Sequence, residues 1–234
     1  MWFISGCVTK RTNVFILLWQ SLQDALHKQD NSEKMWSFNR QRDASKIEIK
    51  EIQWQGPFSW TGYENQNNLD QIPDIEGVYL WTFQYNDGFL VYAAGVTNST
   101  KKRFKSHTKN YKSGNYTVLD VSSAEKGERE EIWHGWKYAK THQEEFNKRK
   151  EEILRAVDEQ LKSFRIFVAQ ISDKRTRERF EAAIMHNIYY CKEPWSELAD
   201  RGMFLKERYN AEMPIETKNM SSYKIYGLPE TLEI

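Results

Sequence analysis

The chain has 234 residues, 39% hydrophobic and 29% charged, which suits one compact domain with extensions or two small domains at most, and excludes wholesale disorder. Lysine plus arginine number 34 against 33 aspartate plus glutamate, so the net charge of +1 excludes a chain-wide electrostatic footprint for nucleic acid; any such footprint must be local. Two cysteines, Cys7 and Cys191, exclude a disulfide framework and a four-sulfur zinc site, and make a reducing, cytoplasmic setting the default.

In chain order, residues 1–34 stand apart. The apolar run Val14–Trp19 follows Lys10 and Arg11, but it is too short for a membrane span and no small-residue cleavage site follows it. An amphipathic first helix and a leader upstream of a true start at Met35 both fit. Residues 35–72 read as an N-terminal extension. Alternation over 46–55 predicts a half-buried strand with Ile47 and Ile49 on one face, ended by Gly56-Pro57, and the Asn- and Gln-rich stretch 61–71 predicts a loop. Gly77–Phe83 and Phe89–Gly95 are apolar runs on either side of an Asp-Gly pair, the signature of an antiparallel hairpin. A helix over Lys101–Tyr111 follows, capped by Thr97 or Ser99 and ending at Ser113-Gly114. Residues 116–121 predict a short strand or turn. Glu125–Lys162 predicts one or two charged helices with a break near Gly135, Phe164–Ile171 a strand, and Asp173 the cap of a helix to Cys191, stopped by Pro194. Residues 216–234 read as a tail.

The chemistry-bearing residues gather in the middle of the chain. Arg103 and His107 are four apart on one helix and share a face. Between Gly88 and Leu119 there is no acidic residue, while Lys101, Lys102, Lys105, Lys109 and Lys112 accompany Arg103. That run is either a phosphate-neutralising track or a solvated helix face balanced by the acidic segment 125–152. Glu181 lies at the border of the apolar stripe of its helix, where a carboxylate is either an ion-pair partner of Arg177 or a ligand facing a cleft. Lys174, Arg175, Arg177 and Arg179 either extend a nucleic-acid track or pair with neighbouring acids. Trp133, His134, Trp136 and Tyr138 either stack on bases or pack their segment onto the core. Cys191 reads as a small buried hydrophobe.

Gly77-Val78-Tyr79 opens the hairpin, Ala93-Ala94-Gly95-Val96-Thr97 closes it, Arg103 follows Gly95 by eight residues, His107 comes four later, and Glu181 stands on a late helix. This ordered set, over about residues 73–190, resembles the GIY-YIG nuclease family. The resemblance implies an α+β fold, a small three-stranded antiparallel sheet flanked by helices, here within 73–215 and enlarged by a helical insertion at about 122–162. It implies hydrolysis of a phosphodiester with Mg²⁺ or Mn²⁺, and DNA as the partner with RNA open; no membrane association is expected, because no apolar run approaches the roughly 20 residues that span a bilayer. By resemblance, Tyr79 activates the attacking water, Arg103 contacts the phosphate, His107 assists proton transfer or stabilises the tyrosine, and Glu181 holds the metal. Asn210 matches, loosely spaced, the late polar residue that steadies the phosphate. A homodimer would suit symmetric cutting of two strands. The side chains suit the chemistry: a phenol with a reference pKa of ~10 needs nearby positive charge to act as a base, and a single carboxylate suits Mg²⁺, which keeps most of its waters. One position departs from the pattern. Ala93 stands where the second-motif tyrosine belongs, and Tyr92 beside it points to the other face of a regular strand unless a bulge turns it. The alternative that this departure raises is a nucleic-acid-binding protein on the same fold that no longer cuts.

Overall fold

Alternating residues after Lys46 build two consecutive strands where the sequence predicts one. The computed structural model describes residues 47–234; the readings of residues 1–46 lie outside the described residues. β1 (Glu48–Gln53) and β2 (Gln55–Ser59) are separated only by the buried Trp54. Gly56-Pro57, expected to end the strand, lies inside β2, where the register against its partner slips between Gln55 and Phe58. Ile49 is exposed; Ile52 and Trp54 are the side chains that reach the core. The polar stretch that follows carries one short helix, α1 (Glu64–Asn67).

The hairpin forms as expected from β3 (Gly77–Tyr85) and β4 (Gly88–Thr97). Its turn is Asn86-Asp87 rather than Asp87-Gly88: Asn86 is left-handed (φ 48°), and Gly88 begins the strand. Ser99 is the cap of α2 (Thr100–Lys112), its side chain accepting from the Lys102 N–H. Thr100, Phe104, His107 and Tyr111 form the buried stripe of α2 at helical spacing, and its lysines occupy the outer face. Each fully buried ring of this kind stabilises the fold by about 1.5–3 kcal/mol.

The insertion is a packed layer of mixed structure. A small hairpin pairs β5 (Val118–Leu119) with β6 (Glu131–Trp133), with α3 (Val121–Ala124) between them. α4 (Trp136–Thr141), α5 (Gln143–Lys148) and α6 (Lys150–Ser163) follow, so the helix expected before Gly135 is instead turn and β6, and the part after it is divided into three helices. It is tied inward by Trp133, whose indole N–H donates to the Gly114 carbonyl at 2.7 Å, and by the buried Gln160, which accepts from the Leu119 N–H at 2.8 Å. The chain then enters β7 (Arg165–Gln170) and α7 (Lys174–Tyr190), which Asp173 caps through the Thr176 N–H; the helix ends before Pro194, which starts a 3₁₀ turn.

Residues 216–234, read as a tail, are built into the fold. β8 (Ile215–Met220), β9 (Ile225–Tyr226) and β10 (Thr231–Glu233) complete two sheets. The main sheet is five-stranded in the order β2-β7-β3-β4-β9, wider than the expected three. Its centre, β7-β3-β4, is antiparallel throughout, and β9 joins β4 in parallel. The second sheet, β1-β8-β10, unites extension and tail: β1 runs parallel to β8 from Glu48 opposite Ile215 to Gln53 opposite Met220. Residues 48–234 thus form one compact α+β unit. No helix among the described residues is long and apolar enough to cross a membrane.

Candidate active site

The inward face of β3 presents Tyr79 and Trp81, two residues apart and both buried. Tyr79 pairs across the hairpin with Gly95, and its phenol lies over that residue: a Cβ added to Gly95 would sit 2.2 Å from both Cζ and Oη of Tyr79. Only glycine leaves the ring this place. α2 brings Arg103 and His107 to the same phenol, and α7 brings Glu181. All four line one cavity of ≈ 70 Å³, together with Tyr92.

Tyr92 reaches the cavity because the hairpin register slips there. Trp81 pairs with Ala93 and Thr82 with Val91, leaving Tyr92 as the extra residue of a bulge. Its ring is buried and stacks on Phe164 at 5.8 Å. Burial, and the Asp200 carboxylate after it, raise the Tyr92 phenol well above its ordinary value.

Hydrogen bonds define the state of the central groups. Arg103 Nε donates to the Tyr79 hydroxyl at 3.2 Å, and that hydroxyl is 2.8 Å from His107 Nε2. Tyr79 has one proton, and Nε2 is the acceptor within reach, so Nε2 is the unprotonated ring nitrogen and Nδ1 carries the hydrogen. Burial pushes Tyr79 up to about 12, with Arg103 opposing it. Burial, and then the Arg103 charge, push His107 down to about 3. At neutral pH the site therefore holds a neutral phenol, a neutral imidazole and a guanidinium. Trp81 crosses His107 edge-on at 4.6 Å between centroids and forms part of the apolar wall responsible for the burial.

Glu181 is half-buried, and among the described residues no group hydrogen-bonds its carboxylate. Burial raises it to about 7, with Arg103 opposing. The ion pair with Arg177 does not form. Arg177 is buried and spent on Glu76 at 2.5 Å, the Asn98 side chain and the Ile171 carbonyl. Among the described residues no group of three His, Cys, Asp or Glu side chains could hold a metal. What the cavity offers is one unpartnered carboxylate beside polar side chains, a donor set that fits Mg²⁺ with most of its waters retained and does not fit Zn²⁺.

The other expected residues divide. Lys101, Lys102, Lys105, Lys109 and Lys112 are all exposed along the outside of α2. Asn210, loosely matched to the phosphate-steadying position, is exposed and is not part of the cavity wall. Of the second basic group, Arg175 binds Glu212, Arg177 binds Glu76, and Arg179 is buried against the Met213 and Ile234 carbonyls; these three arginines hold the fold, while Lys174 is exposed. Trp133 packs the core, His134 bonds Glu131 at 2.5 Å, and Tyr138 stacks on His142 at 3.6 Å. Cys191 is half-buried, its thiol donating to the Ile188 carbonyl.

Tyr116 and Asp200 are polar residues of the cavity wall that the sequence reading does not single out, and Trp136, read there as a base-stacking or core residue, lies in the same wall. Tyr116 stands beside the ring of His107, Asp200 is buried at the far side, and Trp136 stands at the rim with a left-handed backbone (φ 57°) and its indole against Gly202. Arg129 fixes the Asp200 segment by donating to the Leu198 and Ala199 carbonyls, and the Asp200 N–H donates to the Tyr92 carbonyl at 2.9 Å. Asp200 sits in irregular chain, where no periodicity marks a buried carboxylate; the His107 to Tyr116 spacing carries no motif either.

Compared with protein-family models, curated proteins and solved structures, the chain matches none of them.

Proposed function

We propose that the chain is a divalent-metal-dependent endonuclease that hydrolyses phosphodiester bonds of DNA through a GIY-YIG-type site. The observation that carries the reading is the convergence of Tyr79, Arg103, His107 and Glu181, four residues separated by up to about a hundred positions, on one cavity with the Arg103–Tyr79–His107 hydrogen bonds formed. The antiparallel centre β7-β3-β4 supports it as the core of such a domain. The bulge that turns Tyr92 into the cavity supplies a second tyrosine although Ala93 occupies the motif position.

In this reading the Arg103 guanidinium holds a non-bridging phosphate oxygen and offsets its developing charge. The Tyr79 oxygen takes a proton from the attacking water as its own proton passes to His107 Nε2, so one proton crosses two short hydrogen bonds. His107 is a weak base while only Arg103 faces it; the phosphate brings the negative charge that makes an imidazolium tolerable. Mg²⁺ or Mn²⁺ on Glu181 would supply positive charge to the phosphate and to the attacking water. The lysines of α2 extend positive charge along the duplex. Two cysteines in the whole chain agree with work in the cytoplasm.

The test is cleavage of supercoiled plasmid with Mg²⁺ or Mn²⁺, wild type beside Glu181→Ala. Wild type nicks or linearises the plasmid, and the variant loses cleavage by at least a hundredfold while keeping its fold and its DNA binding. Metal-dependent cutting by the variant would overturn the reading. DNA binding without cutting by wild type on DNA and RNA substrates would leave the non-cutting alternative.

A further inference from the structure

His107 is gripped on both ring nitrogens. Nε2 meets Tyr79, and Nδ1 lies 3.1 Å from the Tyr116 hydroxyl. That hydroxyl accepts a second hydrogen bond from Asn110 Nδ2 at 3.3 Å, so it is held from the same helix that carries His107. The Tyr116 ring is wedged edge-on against Tyr111 at 5.1 Å and lies 5.2 Å from Trp136, which fixes where its oxygen points.

We propose that Tyr116 is a positioning residue for the phosphodiester reaction: it selects the Nδ1–H tautomer of His107 and thereby keeps Nε2 free to take the proton of Tyr79. The inference rests on the nuclease reading of this site. Its physics is a count of protons. Tyr79 is 2% exposed, and its hydroxyl already accepts from Arg103, so its one proton has to reach Nε2 or be left buried without an acceptor. If His107 carried its hydrogen on Nε2, that hydrogen would compete with Arg103 for the Tyr79 oxygen. The Tyr116 hydroxyl decides between the two tautomers by accepting from Nδ1–H. It is half-buried, so its own proton can turn to solvent while Tyr79 has no such outlet. Tyr79, His107 and Tyr116 then stand as reacting group, base and orienting group, the logic of a base held in one tautomer by a third residue. No proton is created or lost: as Tyr79 gives its proton to Nε2, His107 becomes an imidazolium whose Nδ1–H still points at Tyr116.

The experiment uses the full chain labelled with ¹⁵N-histidine, and long-range ¹H–¹⁵N correlation at pH 7.5 to read each nitrogen of His107, assigned by its loss in His107→Gln. Wild type gives a protonated Nδ1 and an unprotonated Nε2. In Tyr116→Phe the Nε2–H form becomes substantial, and Mg²⁺-dependent plasmid cleavage falls by about ten- to a hundredfold with the Kd for DNA unchanged. Asn110→Ala, which leaves every ring in place, shifts the same signals in the same direction by less, and serves if the phenylalanine variant does not fold. An Nε2–H tautomer in wild type, unchanged His107 signals in both variants, or a shifted tautomer with undiminished cleavage would each overturn the proposal. A wild type that cuts no nucleic acid removes the reaction itself and overturns the catalytic role, while the histidine signals still decide whether Tyr116 sets the tautomer.

Discussion

Glu181 is a carboxylate whose burial costs stability unless something positive joins it. Its pKa of about 7 exceeds the ~4.3 of an unfolded glutamate, so the folded chain holds this proton more tightly. Below pH ~4 both states are protonated and no cost arises. As pH rises from ~4.3 to about 7, the unfolded chain ionises first, and stability falls by up to about 4 kcal/mol before levelling off. Glu181→Gln removes this dependence. In metal-free buffer the variant should melt above wild type at pH 8 and level with it at pH 4, read by calorimetry. Added Mg²⁺ should raise the wild-type midpoint alone. A constant difference between the two proteins across that range would contradict the buried carboxylate. His107 has the opposite sign. Its pKa is depressed to about 3, so its contribution is full above ~6.5 and fades as acid is added.

At the scale of elements, α2 does two jobs on two faces: Phe104, His107 and Tyr111 point inward, and the lysines stay outside. Its outer face is the expected contact with phosphates. Lys101→Glu with Lys105→Glu should weaken DNA binding and flatten the slope of log K against log salt by about 0.9 per lost contact. Equal slopes for variant and wild type would return the lysines to a merely solvated face. The central hairpin and the caps of α2 and α7 were legible because local chemistry dictates them: two apolar runs about a short polar turn, although the turn residues are Asn86-Asp87 rather than the Asp-Gly pair, and a serine or aspartate at a helix start. The four-residue constellation was legible through its order and element types. The bulge was legible only as a condition that Tyr92 would need. Asp200 and Tyr116 were not legible, because their places depend on how distant irregular chain is pinned, by Arg129 in one case and by Asn110 and the neighbouring rings in the other. β5 and β6 were hidden in a segment rich in charge, since a pairing of two and three residues leaves no period to detect.

For the whole molecule, the division into extension, domain and tail was misleading, since β1 and β2 come from the extension, β8 to β10 mostly from the tail, and both join the same unit. Short strands whose partners lie across the chain carry little local signal. Arg179 shows what this costs when undone: its buried guanidinium donates to the Ile234 carbonyl, and its Nε has no partner among the described residues. Ending the chain after Glu230 removes β10 and that acceptor. The loss should be about 2–3 kcal/mol from the charged hydrogen bond alone, roughly 5–10 °C in Tm for a chain of this size. An unchanged melting temperature would mean that β10 is ornamental. The parallel pairing of β1 with β8 also governs birth on the ribosome. β1 is made well before the strand it joins, since Glu48 pairs with Ile215 far along the chain. Until β8 has been made, the backbone hydrogen-bonding edge of β1 and Ile52 wait uncovered, so slower elongation should lengthen the interval in which nascent chains can pair wrongly with one another.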